Sequence, residues 1–350
     1  MARGTEHVLL RELREQPMAI RETIDLNRNE FDQVAGLLTR KRIHFIGMGS
    51  SYFASLYGAY LLADFTDSTV VNHLASEFVH YPSTIPKNET SIVLSQSGAS
   101  IETVKATRLL KKHNNFVVGM TNEPESTLAK LSDQVVLTHA GEERASSTKT
   151  FASTLAILYC LTVALAGRRK AISERRRELL IEGIVRMSRK LDVNLDSWDH
   201  HARHQSAKLA NCRAAMVLAR GPNLAAALQG ALLLKEVAKI PAEGMSSGEF
   251  AHGPIEAVSD RICVVILGGG RTSRLQDRLA FRSKNLHAKT IMISPYVVRG
   301  IESMAHDETD ENLAVFPCVV LLELLAYHTA LNRRLNPDRF KFIKKVTTRE

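Results

Sequence analysis

Cysteine is scarce in this chain, and the four present stand apart. Cys160, Cys212, Cys263 and Cys318 show neither metal-ligand nor redox spacing, which excludes a cysteine zinc cluster and a thiol–disulfide motif. Three of them lie in apolar runs, where a reduced buried thiol is expected, and that fits a cytoplasmic protein. The N-terminus lacks an apolar core of the kind a signal peptide needs, since Glu6, Arg11, Glu12 and Arg14 interrupt it. Long hydrophobic runs are also few. Residues 151–166 are short for a membrane span, and 316–331 are interrupted by Glu323 and His328, so both read as buried helices and no membrane partner is expected.

What is present is a soluble composition, 45% hydrophobic and 24% charged, in 350 residues, enough for two domains with separate cores. The net charge of +9 raises nucleic acid as a partner. Its distribution argues against one. Residues 167–190 hold nine Lys/Arg and three Glu, so two thirds of the surplus sits in one segment, with Glu174, Glu178 and Glu182 at helical spacing. No aromatic platform or recognition motif accompanies it, and the segment reads as a basic helical linker.

Sliding the chain by 172 residues superposes Gly49 on Gly221, Leu56 on Leu228, Gly58 on Gly230 and Ala59 on Ala231. The same offset pairs Glu77 with Glu249, Phe78 with Phe250, His80 with His252 and Gly98 with Gly270, without a gap from residue 42 to 98. Two copies of one unit explain this. Each copy opens with a β-rich run, 43–47 or 214–219, followed by a glycine turn and an Ala/Leu-rich helix. A second buried strand is predicted at 91–95 or 262–267, and further strands at 116–121, 134–138, 290–294 and 312–316. Strands alternating with helices predict parallel sheets covered on both faces, so each copy is expected to be a flavodoxin-like α/β layer. Ligands of such sheets sit beyond the carboxyl ends of the strands.

In the first copy those ends carry Gly47-Met48-Gly49-Ser50-Ser51-Tyr52 and Ser95-Gln96-Ser97-Gly98-Ala99-Ser100. Each leads from a strand into a helix, where backbone N–H groups and the helix dipole favour an anion, and the hydroxyls and glutamine amide add neutral donors for phosphate oxygens. Ser146-Ser147-Thr148-Lys149 is a third such loop. A dinucleotide fingerprint is not completed, because Tyr52 stands where the third glycine belongs. Serine and glycine also make ordinary turns, but three such loops in one copy favour a ligand. The second copy has Leu267-Gly268-Gly269 in place of Ser95-Gln96-Ser97, so phosphate binding is expected in the first copy alone. The second copy offers Leu234-Lys235-Glu236 and Gly248-Glu249-Phe250-Ala251-His252-Gly253-Pro254, an acid and a histidine whose spacing alone assigns no role. Asp199, His200, His201 and His204 complete no zinc motif, and His200 and His204 read as a solvated helix face. No metal and no cofactor is expected.

Together these segments resemble the sugar isomerase (SIS) family, particularly the branch holding the isomerase half of glucosamine-6-phosphate synthase and stand-alone amino-sugar phosphate deaminases. The resemblance runs from Glu15-Gln16-Pro17-Met18-Ala19 through the three serine loops, the L-K-E and G-E-x-x-H-G-P runs, to Phe342-Ile343-Lys344-Lys345-Val346. It implies two tandem SIS units: a helical segment at 1–40, unit one at 41–166, a basic linker at 167–205, unit two at 206–332 and a tail at 333–350. It also implies that Ser51, Ser95, Gln96, Ser97 and Ser100 hold phosphate, with Ser50 and Ser147 beside the sugar. Glu236 resembles the base that moves a proton between C1 and C2. His252 resembles the ring-opening histidine, which in this family comes from a neighbouring subunit, so a homodimer is expected. Lys344, or Lys345 in its place, resembles the tail lysine that can form an imine with the open sugar.

The family's S-G-E-T is here Ser97-Gly98-Ala99-Ser100, and its G-T-S turn is Gly49-Ser50-Ser51; both keep hydroxyls, so phosphate binding is affected less than sugar selection. No glutaminase segment stands before Gln16 in this sequence. The expected activity is therefore deamination and isomerisation of a 2-amino-2-deoxyhexose 6-phosphate, glucosamine or galactosamine, to a ketohexose 6-phosphate and ammonia. A fructosamine 6-phosphate deglycase and a non-catalytic sugar-phosphate sensor are the alternatives.

Overall fold

In the computed structural model, which describes residues 6–81 and 86–342, ten strands form two parallel sheets of five. The first holds β1 (Arg42–Gly47), β2 (Thr69–Leu74), β3 (Thr90–Leu94), β4 (Phe116–Thr121) and β5 (Gln134–Leu137) in the order β2-β1-β3-β4-β5. The second holds β6 (Ala214–Ala219), β7 (Ala242–Ser246), β8 (Ile262–Leu267), β9 (Lys289–Ser294) and β10 (Glu302–Ala305) in the order β10-β9-β8-β6-β7. Read from the other edge, the second order is the first. The expected pair of flavodoxin-like α/β layers is what the chain forms. In each, the strand order reverses between the first and third strands, the point beyond whose carboxyl ends ligands of such sheets sit.

The chain divides into two compact units. One comprises Glu15–Glu143 with Ser147–Ser188 and contains the first sheet; the other comprises Arg189–Lys341, with the described residues up to Arg14 and Arg144–Ser146, and contains the second. The predicted helical opening is three helices, Val8–Arg14, Gln16–Leu26 and Arg28–Leu37. The basic segment lies mostly on one helix, Glu174–Ala210. Much of its charge has local partners in the first unit: Arg169 donates to Asp67 and to the carbonyls of Leu38 and Arg40, and Arg177 reaches both oxygens of Asp32 at 2.7 Å.

The central strands are apolar on both faces because helices cover both. Ile46, Val93 and Val117 meet Phe78, Leu110 and Leu128 in the first core, and Leu218, Val264 and Met292 meet Phe250 and Leu279 in the second. The two most apolar segments are the buried helices Lys149–Arg168 and Val315–Asn332, one per unit. The repeated glycine explains how they fit. A Cβ on Gly58 would lie 3.1 Å from Leu158, and one on Gly230 would lie 2.7 Å from Leu322. In both copies the first helix approaches the last closely, and a larger residue there would force the facing leucine to shift.

One predicted strand is corrected. Residues 312–316 lead into the helix that starts at Val315, and the strand at that place in the order is Glu302–Ala305. Asp310 accepts from Asn312 N through its carboxylate and from Ala314 N through its carbonyl, turning the chain into the helix. Pro317 falls in the helix's first turn, where its missing N–H costs nothing.

His306, which follows β10, gives the fold a pH dependence. It is buried, accepts from Glu308 N at its Nδ1, and lies 3.8 Å from Cys318 Sγ through Nε2. Burial holds its pKa down to about 4, against an ordinary 6.5. The unfolded chain therefore binds a proton between these values that the folded chain refuses. Stability from this site is full above about pH 6.5 and is lost as pH falls toward 4. Urea midpoints should drop across that window, and the slope should be shallower in His306→Gln.

Candidate functional site

The reversal point of the first sheet carries two strand-to-helix turns. After β1, Met48 is extended and the helix Gly49–Phe65 starts at once, so Ser50 and Ser51 stand in its first turn. Ser51 N returns to Met48 O at 3.0 Å. After β3, Gly98 N bonds Ser95 O at 3.1 Å and Gly98 takes φ +57, a left-handed turn that favours glycine. This turn is pinned from behind: Asn122 N and Thr121 Oγ1 both donate to Gln96 O, and Leu128 N donates to Gly98 O. Ser100 then occupies the N-cap of the helix Ile101–Lys112 without capping it through its side chain.

The hydroxyls of Ser50, Ser51, Ser95 and Ser100 and the amide of Gln96 make no hydrogen bond among the described residues. Ser97 Oγ accepts from Ala99 N at 3.3 Å. Serines that merely made turns would spend their hydroxyls on nearby backbone. Here they are uncommitted, at the reversal point of the sheet and beside two helix N-termini.

The third loop depends on a residue that sequence reasoning missed. Glu143 is buried and accepts from Thr148 N at 2.9 Å, Thr150 N at 3.1 Å and Thr150 Oγ1 at 2.7 Å. It thereby satisfies the free N–H groups that open the helix Lys149–Arg168 and shapes the loop carrying Ser147. Ser147 Oγ is 3.1 Å from Thr150 Oγ1. Lys149 is held within the same unit, its ammonium 2.6 Å from Glu15. A carboxylate upstream of a Ser/Thr run and a long apolar stretch was the available signal. Glu143→Gln should cost about 2 kcal/mol, seen as a lower urea midpoint, because a neutral amide cannot accept all of these bonds.

In the second unit, Glu236 is the last residue of the helix Leu224–Glu236 and is half-buried. Lys239, in a left-handed conformation just beyond, donates to the carbonyls of Glu236 and Arg339, tying the helix end to the start of the tail. Its burial lowers the ammonium pKa. His252 is exposed, in a turn that follows the helix Ser247–Phe250 and ends at Gly253. Glu236 precedes β7 and His252 follows it, so the two stand at opposite ends of the second sheet. The five residues of β7 alone separate these ends by about 16 Å. One chain does not bring Glu236 and His252 together. Lys344 and Lys345 lie outside the described residues. His200 and His204 are exposed, and Asp199 accepts from His328 at 2.8 Å.

Two duplicated parallel layers, one with uncommitted serine hydroxyls at its reversal point, define a tandem α/β protein. The SIS domain model matches residues 36–164 and 208–298, and the chain belongs to the SIS domain family. The glutamine–fructose-6-phosphate aminotransferase (isomerizing) of Pyrococcus horikoshii is 34% identical over 360 residues, covering 99% of this chain and 58% of that protein. The Thermococcus kodakarensis protein of the same name is 32% identical over 356 residues, with 99% and 59% covered. The chain thus spans less than two thirds of the length of these curated relatives. Among solved structures, the C-terminal domain of glucosamine-fructose-6-phosphate aminotransferase from Francisella tularensis superposes with a TM-score of 0.89 at 24% identity, covering 97% of this chain and 99% of that one. Glucosamine-6-phosphate deaminase from Thermotoga maritima gives 0.77 at 22%, covering 97% and 99%. At these identities the likeness is one of fold.

Proposed function

We propose that this protein converts a 2-amino-2-deoxyhexose 6-phosphate, glucosamine or galactosamine, to a ketohexose 6-phosphate and ammonia. The observation that carries the reading is the set of uncommitted donors on Ser50, Ser51, Ser95, Gln96 and Ser100 at the carboxyl ends of β1 and β3. Neutral donors and helix N-termini suit a phosphate that must also leave. Ser97 completes the grip, and Ser147 lies beside the sugar.

His252 opens the sugar ring. The Glu236 carboxylate then takes the proton from C2 and returns it to C1, which moves the double bond and leaves a ketimine at C2. Water adds to that carbon, the C–N bond breaks, and ammonia leaves with the ketose phosphate. Lys344, with Lys345 its substitute, is the amine that can form an imine with the carbonyl of the open sugar. Because His252 is exposed and stands at the far end of β7 from Glu236, His252 serves a neighbouring copy and the working form is a homodimer. The buried, unpaired thiols support a reducing, cytoplasmic setting.

Incubation with glucosamine 6-phosphate, galactosamine 6-phosphate and a fructosamine 6-phosphate, with ammonia and free amine measured separately, tests the reading. Ammonia from an amino-sugar phosphate is expected. Free amine from the fructosamine alone would make the protein a deglycase, and turnover of none would refute catalysis. Mixing Glu236→Gln chains with His252→Ala chains should restore part of the lost activity; no recovery would count against the shared site.

A further inference from the structure

The second sheet has the same reversal point between β6 and β8, and its turns keep the backbone of the first. Gly49 and Gly98 have φ +49 and +57; their counterparts Gly221 and Gly270 have +59 and +63. What lies against the turns differs. Nothing lies within 4 Å of a Cβ built on Gly49, whereas Glu311 Oε1 is 3.5 Å from one built on Gly221. At Gly270 the same carboxylate fills the space itself, with Cδ and Oε1 2.6 Å from the Cβ position. Glu311 Oε2 accepts from Arg271 Nε at 2.8 Å, and the glutamate side chain is only 18% exposed.

The counterpart of Glu311 in the first unit is Glu143. β5 and β10 end in the same bond, Thr138 N to Thr121 O and His306 N to Ser294 O, both 3.0 Å, and five residues further stand Glu143 and Glu311. Glu143 turns toward Thr148 and Thr150, whereas Glu311 turns onto the two glycine turns. Two amides near these turns are buried with their oxygens unpartnered: Asn223, two residues after Gly221, and Gln276, whose Nε2 donates to Leu267 O at the end of β8.

We propose that the second unit retains an anion-binding nest, formed by the turns at Gly221 and Gly270 with Arg271, and that Glu311 occupies it as a built-in anion. An exposed Arg–Glu pair alone would carry little weight. Here the carboxylate is seated against two left-handed glycines; at their counterparts in the first unit, the space beside Gly49 is open and that beside Gly98 holds the neutral side chain of Ser126. The ligand class of the emptied nest is a phosphate or phosphomonoester. Unlike a carboxylate anion, hydrogen phosphate also carries an O–H that an unpartnered amide oxygen can accept. The asymmetry of the duplicated fold then has two sources, missing hydroxyls and a filled nest.

Titration of the full chain with inorganic phosphate, followed by calorimetry, tests this. Glu311→Ala should bind one phosphate per chain more than the wild type, and adding Arg271→Met should remove the gain. An unchanged count in a Glu311→Ala chain with wild-type circular dichroism would overturn the proposal, as would a gain that survives loss of Arg271. If Glu311→Ala does not fold, Glu311→Gln keeps the shape and loses the charge; phosphate should raise its Tm more than that of the wild type, and an equal or smaller rise would refute the idea. The comparison counts sites gained, so it is independent of the catalytic assignment.

Discussion

Glu236→Gln is expected to reduce turnover of an amino-sugar phosphate by about three orders of magnitude while substrate binding stays within about threefold. The amide keeps the size of the side chain and removes the only property the reaction needs there, a lone pair basic enough to take a proton from carbon. The substituted residue ends a helix whose last carbonyl is held by Lys239, so the local backbone has no reason to move. Steady-state kinetics with a separate binding titration separate the two effects. Unchanged kcat with intact binding would show that another group is the base.

Ser95→Ala with Ser100→Ala should have the next largest effect, and of a different kind. Each hydroxyl offers a hydrogen bond to a charged phosphate, about 1.5–3 kcal/mol, so the pair should raise KM by about two orders of magnitude or more and lower kcat much less. Neither hydroxyl bonds to protein among the described residues, so the fold should persist, as a urea melt will show. The discriminating control is the unphosphorylated amino sugar, whose poor kcat/KM should not change. A uniform loss on both sugars would mean that the serines support structure.

The sequence was read most easily where strands are central. β3, β4, β8 and β9 lie between neighbours and are buried along nearly their whole length, and the sequence pattern places them within a residue. The strands that escaped, β2, β7 and β10, are all edges, and β7 and β10 are short with polar residues facing water. Thr-Val-Val-Asn-His-Leu and Ala-Glu-Gly-Met-Ser carry no pattern that separates a strand from a loop. The residues 312–316 misled for the opposite reason: Leu313, Val315 and Phe316 are buried where an aspartate turn leads into a helix. For the site, hydroxyl-bearing loops were legible because glycine and serine at strand ends restrict the chemistry. Glu143 and Lys239 were not, because a charged side chain reads as solvated until the fold sets it against backbone N–H groups or carbonyls.

The proposed reaction requires one protein to grip a phosphorylated amino sugar and move its C2 proton until nitrogen is released. The most direct measurement is the stoichiometry of products from glucosamine 6-phosphate and galactosamine 6-phosphate, with unphosphorylated glucosamine as control. The account predicts equal amounts of ketohexose 6-phosphate and ammonia from at least one phosphorylated sugar, and very little from the control. Ammonia from neither sugar phosphate, in protein that binds phosphate, would contradict it.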